Sequence, residues 1–447
     1  MSRLRILLLA LALMALNWNV KGQTNMITML TNGPTAKRLN IVFFSEGYTT
    51  NDLAHYVADA RTMLNHMLAT FPLHEYSNYF NAFAISVPSN QSGSDHYTPT
   101  TNLVDTYFNS RFDTAGIQRL VTIDSTGQSR ANSLLAQFMP EYDVVALVVN
   151  DTMYGGSGGS ILISSINSSS AEIATHEFGH TFASLGDEYS DAGATPSEKP
   201  NTTAQTNLVS LKWNSWIVAG TPIPTPDTPS YYSVVGLFRG AAYSTNYFRP
   251  KHNCKMRTLG AIFCEVCGEA LVKTIYSKLS IIESFSPPTN ITIKLTNGIA
   301  NTFTITNLPP LTHSLQVQWF TNSVAVIGAT STVFTATGFD LPGSGTNLVR
   351  VDVSDLTTDV RNDPANVMKN SLVWKASGVV ASPRISIVAT PAQITLSWTN
   401  TATGFYLDQA STLSGLPPWT PLFLISNQTG WVISATNPQS VYRLRKP

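Results

Sequence analysis

The chain has 447 residues, more than one ordinary domain needs and enough for about three, each able to bury its own core. Charged residues make up only 12%, and 27 basic side chains balance 27 acidic ones. No basic excess exists to drive binding to nucleic acid or a membrane surface, so a protein or peptide partner is expected and nucleic acid is not.

Arg3 and Arg5 precede the apolar run from Ile6 to Leu16, which reads as the core of a signal peptide spanning residues 1–22. That run is well short of the roughly 20 residues that cross a bilayer, and no second run of spanning length follows. An exported protein without a transmembrane segment is therefore expected: periplasmic, extracellular or held at the cell surface. Residues 23–36 form an N-terminal segment ahead of a first patterned domain at 37–284. There, Leu39 to Ser45 is a short apolar run suited to a buried strand. Thr50 to Ala69 carries Leu53, Tyr56, Val57, Ala60, Leu64 and Met67 at helical period, with Pro72 just beyond. Phe80 to Val87 and Tyr142 to Val149 read as further strands, so the pattern alternates as α/β layers do.

Gly155-Gly-Ser-Gly-Gly159 formally matches a nucleophile elbow with Ser157 as the attacking residue. An elbow should join a strand directly to a helix, whereas Asn150 to Tyr154 intervene and no helical pattern opens after it. Serine hydrolysis at Ser157 is thus a weak rival, and the glycines read as a flexible turn. Ser160 to Ser165 then reads as a strand placed to pair an extended peptide at a sheet edge.

His176, Glu177 and His180 follow on a predicted helix. Residues four apart stack on one helical face, so His176 and His180 can direct imidazole nitrogens at one zinc ion. Glu177, one position on, is placed to take a proton from water rather than to close the coordination shell. A catalytic zinc usually takes a third protein ligand. Asp187, just past the turn-forming Gly186, is the favoured candidate, with Glu188 and His252 as alternatives. The cysteines, Cys254, Cys264 and Cys267, are confined to one short window. In an exported chain they favour one disulfide between Cys254 and either of the others over a zinc cluster completed by His252.

After Tyr276 the helical patterns fade, and Ser284 to Asn290 resembles a linker. A β-sandwich is expected over 285–376, with half-buried strands at Ser314–Phe320 and Asn347–Val353 and Trp319 in its core. A smaller one is expected over 377–447, opened by Ala392–Trp398 and closed by Val441–Leu444.

The stretch His176-Glu-Phe-Gly-His-Thr-Phe-Ala-Ser-Leu-Gly-Asp-Glu-Tyr189 resembles the signature of the IgA-peptidase family of zinc metallopeptidases, family sixty-four among metallopeptidases. The likeness extends to Leu39-Asn-Ile-Val-Phe-Phe-Ser-Glu-Gly-Tyr48, Tyr79-Phe-Asn-Ala-Phe83, Gln91-Ser-Gly-Ser-Asp95 and Tyr154-Gly-Gly-Ser-Gly-Gly159. Cys254-Lys-Met-Arg257 and Phe263-Cys-Glu-Val-Cys267 also look like the family. The resemblance implies an α/β zincin, metzincin-like catalytic domain, here followed by two all-β immunoglobulin-like sandwich modules. It implies His176, His180 and Asp187 as ligands of one catalytic zinc ion, Glu177 as general base, and Met256 as the packing methionine of a turn beneath the metal. The general metzincin pattern has glycine and its third ligand where this chain has Ala183 and Gly186, so Asp187 lies one residue late. The implied activity is hydrolysis of a peptide bond in a protein, glycoproteins included, by metal-activated water. The alternative is a cell-surface or matrix binding protein with an inactive peptidase-like domain.

Overall fold

The computed structural model describes residues 24–191, 195–296, 299–336, 346–379, 384–398, 405–411, 419–426, 428–434 and 440–445. The expected signal peptide at 1–22 lies outside the described residues. No helix among those described is long and apolar enough to cross a membrane. The chain divides into two compact units. The first runs to Glu283 and also takes in Asn307–Gln316 and Val353–Asn370, two segments from within the expected first β module. The second takes Ser284–Thr306, Val317–Asp352 and the chain from Ser371.

In chain order the first unit contains β1 (Asn25–Leu30), β2 (Leu39–Glu46), α1 (Leu53–Ala69), β3 (Phe80–Ser86), β4 (Ser110–Arg111) and β5 (Thr122–Ile123). There follow α2 (Ser125–Phe138), β6 (Val144–Val149), β7 (Gly156–Ser157), β8 (Leu162–Ser165), α3 (Ser170–Ala183), β9 (Phe238–Ala241), β10 (Ser244–Arg249) and α4 (Glu265–Lys278). Six strands form one sheet in the order β1-β3-β2-β6-β8-β7. β3, β2, β6 and β8 are parallel, while β1 and β7 run antiparallel to their neighbours.

All eight residues of β2 are buried because both faces of the sheet are covered, which is why its sequence is a continuous apolar run rather than an alternation. Val42, Phe44, Phe83, Ile85, Val145 and Leu147 share one core with Leu134 and Leu135 of α2. Helices α1 and α3 also pack on the sheet and on each other, and α3 packs on α4. In α1 the buried residues are Tyr56, Ala60, Met63, Leu64 and Met67, one helical face. Asp124 caps α2 by accepting a hydrogen bond from the Gly127 amide at 2.7 Å.

Two expectations about the glycine turn change. β8 is not an edge strand, because β7 pairs along it through Gly156–Ser164 and Ser157–Ile163. Gly155, Gly156 and Gly158 serve close packing rather than flexibility. A Cβ on Gly156 would lie 2.5 Å from Ile173 Cγ2, and one on Gly158 would lie 2.6 Å from His180 Cβ.

The second unit contains no helix among its described residues. A three-stranded sheet includes Asn301–Asn307 and Val333–Ala336, and a five-stranded sheet includes Gln316–Thr321, Thr346–Ser354 and Lys369–Val379. Phe303 of the former packs on Trp319 and Trp374 of the latter, whose indoles stack at 5.6 Å. Trp319 is fully buried, as expected of a core residue. Beyond it, Leu396, Trp398, Leu407 and Ile425 form a separate core between two further three-stranded sheets.

Candidate metal centre

Helix α3 puts His176 and His180 one turn apart with their Nε2 atoms 3.1 Å from each other. Each ring is held from its other nitrogen. His176 Nδ1 lies 2.9 Å from the Lys255 carbonyl and His180 Nδ1 lies 2.7 Å from the Leu185 carbonyl. A carbonyl only accepts, so both Nδ1 atoms donate and each Nε2 can offer its lone pair to an ion.

The Leu185 carbonyl arrives because α3 ends abruptly. Ser184 takes a left-handed conformation at φ 53°, and the amides of Ser184 and Leu185 return to the carbonyls of His180 and Gly179. Ser184, rather than Gly186, therefore breaks the helix. From Ser184 to Ser190 the chain has no regular secondary structure, and Asp187 and Glu188 turn to different partners. Asp187 faces the histidines, with Oδ1 at 3.1 Å from His176 Nε2 and 3.3 Å from His180 Nε2. Glu188 faces away, toward the cysteines.

These three ligand atoms form a compact donor set of the kind that binds a divalent transition metal. Burial works against charge on Asp187, yet its hydrogen bonds to His176 and His180 hold it well below the usual carboxylate range. Burial likewise lowers His180, but the bond to Asp187 outweighs it and takes the imidazole up to about 9. The group thus calls for positive charge between the rings, which a proton or a metal ion supplies.

Glu177 stands beside this set, its Oε2 4.0 Å from His180 Nε2. Burial raises its pKa against the lowering influence of the two histidines. It lines a cleft of about 830 Å³ together with Arg119, Tyr154, Tyr189, Tyr243 and Arg257. Met256 is fully buried under α3, where a Cβ on Gly179 would lie 2.8 Å from its Sδ. Its carbonyl accepts from the Glu188 amide at 2.8 Å, so the loop at 254–257 supports both histidine and carboxylate segments.

Several functional residues lay beyond sequence reasoning. Tyr243 donates its hydroxyl hydrogen bond to Asp187 Oδ2. It sits at the tip of the β9–β10 hairpin, where Ala242 and Tyr243 both have positive φ, 48° and 63°. Backbone bonds from Ala242 to the Asp187 carbonyl (2.8 Å) and from Tyr243 to the Tyr189 carbonyl (3.0 Å) hold that turn. Asn201 is fully buried and clamps Gly186 through its amide (2.7 Å) and carbonyl (2.8 Å), while also donating to Glu188 Oε1 at 2.9 Å. Lys255 pairs with Glu172 of α3, which fixes the loop whose carbonyl orients His176.

Other expected residues fall elsewhere. His252 pairs with Asp227 at 2.6 Å and stacks on Tyr232, away from the histidine pair. Ser157 spends its hydroxyl on the Val121 carbonyl, and no helix follows it directly, so no nucleophile elbow forms. The expected disulfide is replaced by three buried free thiols. Cys254 and Cys267 have their sulfurs 3.6 Å apart, far beyond the roughly 2.05 Å of a disulfide.

Comparison with curated proteins returns no match. Among solved structures, three domains of the outer capsid protein Hoc of bacteriophage RB49 align at 13% identity and TM-score 0.16, over 34% of this chain and 57% of theirs. A Bacteroides ovatus mixed-linkage glucan utilization protein, SGBP-B, aligns at 13% identity and TM-score 0.17, over 36% of this chain and 39% of its own. The FN1–FN3 domains of chicken CNTN1 align at 12% and TM-score 0.13, over 36% of this chain and 64% of theirs. The chain thus spans less than two thirds of each of these structures, and scores so low carry no argument about it. The family model described as IgA Peptidase M64, by contrast, matches residues 27–233 and 227–275, a span containing His176, Glu177, His180 and Asp187. Since that match takes in more than half of the 447 residues, the chain belongs to the IgA peptidase M64 family.

Proposed function

We propose that the protein is an exported, zinc-dependent endopeptidase in which His176, His180 and Asp187 hold the metal and Glu177 is the general base. The observation that carries this reading is the convergence of His176 Nε2, His180 Nε2 and Asp187 Oδ1 at the floor of an open cleft with Glu177 alongside. Zinc bound there would supply Lewis acidity to the scissile carbonyl and to the attacking water.

The chain's own residues supply the rest. Glu177 accepts the water proton and returns it to the leaving amine, and its raised pKa makes it a stronger base than a solvated carboxylate. Asp187 is held in one orientation by Tyr243 on one oxygen and the histidines on the other. Tyr243 also lines the cleft, with its one hydroxyl proton committed to Asp187.

Export rests on the apolar run from Ile6 to Leu16 behind Arg3 and Arg5. The α/β sheet with α3 lying against it supports a metzincin-like zincin, and the paired sheets after Ser284 support two immunoglobulin-like sandwiches. The test is digestion of a broad protein substrate by the full chain, with and without chelator, and with Glu177→Ala. Cleavage should stop on chelation and return with zinc. If a folded, zinc-loaded Glu177→Ala variant cleaves as fast as the parent, the assignment of the base is wrong.

A further inference from the structure

We propose that Cys254, Cys264, Cys267 and Glu188 form a second, closed zinc site that fixes the backbone behind the catalytic centre. The four ligand atoms lie within 4.8 Å of one another, and all four residues are buried. The Cys254 and Cys267 sulfurs are 3.6 Å apart, and Cys267 Sγ is 3.2 Å from Glu188 Oε1. A tetrahedral zinc with Zn–S near 2.3 Å and Zn–O near 2.0 Å separates its ligand atoms by about 3.5–3.8 Å, so the cluster needs only a small adjustment to close on an ion.

Two further observations point to a cation. Glu188 is fully buried, and its Oε2 has no hydrogen-bond partner among the described residues. A buried carboxylate with a free oxygen beside three thiols is costly unless something positive occupies the space between them. The Cys264 amide donates to Cys254 Sγ at 3.2 Å, a contact that favours thiolate sulfur over thiol.

The site also has a structural task. Cys264 precedes α4 and Cys267 lies in its first turn, Cys254 adjoins Lys255, and Glu188 adjoins Asp187. One ion would therefore tie together α4, the loop whose carbonyl orients His176, and the segment that presents Asp187. Each thiol gives up its proton to solvent as the ion binds, and no redox change is involved. With four protein ligands no position remains for water, so the role is architectural.

The inference is independent of the proposed catalytic metal, and full-length protein tests it. Zinc per chain is measured by elemental analysis on the parent and on His176→Ala/His180→Ala, alongside alkylation of denatured protein without reductant. We expect two zinc ions in the parent, one in the histidine variant, and three alkylated thiols in both. Cobalt-substituted histidine variant should show the near-ultraviolet thiolate-to-cobalt band, and Cys264→Ser/Cys267→Ser should lose it. A single alkylated thiol, or a histidine variant that holds no zinc and gives no thiolate band, overturns the proposal. If the cysteine variant does not fold, the histidine variant alone decides. Failure of the catalytic reading looks different: the histidine variant would then keep the parent's zinc content.

Discussion

Asp187 and Glu188 are neighbours in the chain, yet each serves a different cluster, and the two clusters differ in access. The histidine set opens on a cleft of about 830 Å³, whereas the cysteine set is wholly buried. Asp187 meets the histidines and Glu188 meets Cys267, so one short segment serves both. The comparison separates a place where chemistry can occur from a place where geometry is held. The open one keeps room for water and substrate; the closed one spends every ligand on the fold.

The sharpest way to break that contrast is Glu177→Ala. Cleavage should fall on the order of 10²–10⁴-fold, the usual worth of a positioned proton acceptor, while metal content stays at the parent level. A loss of metal in that variant would mean that Glu177 is a ligand. Next is Tyr243→Phe, which removes a partner of Asp187 and should cost roughly 10- to 100-fold in activity. If the cysteine cluster is separately held, its cobalt spectrum should not move in this variant.

Asn201→Ala probes the shared segment Gly186–Glu188. It strips hydrogen bonds from the Gly186 amide, the Gly186 carbonyl and Glu188, so about 3 kcal/mol should be lost in denaturant unfolding. Both clusters should loosen together, and an effect confined to one would refute the common support. The smallest effect belongs to a network remote from both, in which His313 bridges Glu75 at 2.9 Å and Asp355 at 2.8 Å. Burial lowers the His313 pKa, but the bond to Asp355 raises it above its ordinary value near 6.5. Its contribution to stability is complete below about pH 6.5 and fades as pH rises through the raised value. Glu75, pushed up by burial but lowered overall by its Thr312 and His313 bonds, loses its contribution as pH falls below about 4.5. Melting temperature against pH should be flatter in His313→Gln, with or without chelator.

The part of this arrangement that can be read from the chain is the part encoded locally. His176, Glu177 and His180 lie within one helical turn, and the β2 run is apolar because both of its sides are covered. Tyr243 and Asn201 carry no comparable signal. Tyr243 acts from a hairpin tip with Ala-Tyr where Asn-Gly would be expected, and Asn201 acts through backbone groups that any residue possesses. The cysteine spacing in an exported chain favours a disulfide, and the fourth member of the cluster, Glu188, carries no sequence signal that separates it from its acidic neighbour Asp187. The segments Asn307–Gln316 and Val353–Asn370 were hidden in a β-like texture, although His313 and Asp355 tie them to Glu75 in the first unit.

Gly158 has a bearing on selectivity. A Cβ there would strike His180 Cβ at 2.6 Å and approach Glu177 Oε2 at 3.1 Å, so the wall nearest the base is bare main chain. Main chain offers the same amide and carbonyl groups to every peptide and cannot tell one residue from another. Under the proposed peptidase activity, discrimination among cleavage sites would fall to side chains on the rest of the rim, Arg119, Tyr154 and Arg257 among them. Peptide-library profiles should shift when those residues are exchanged, with the subsite against Gly158 remaining indifferent to sequence.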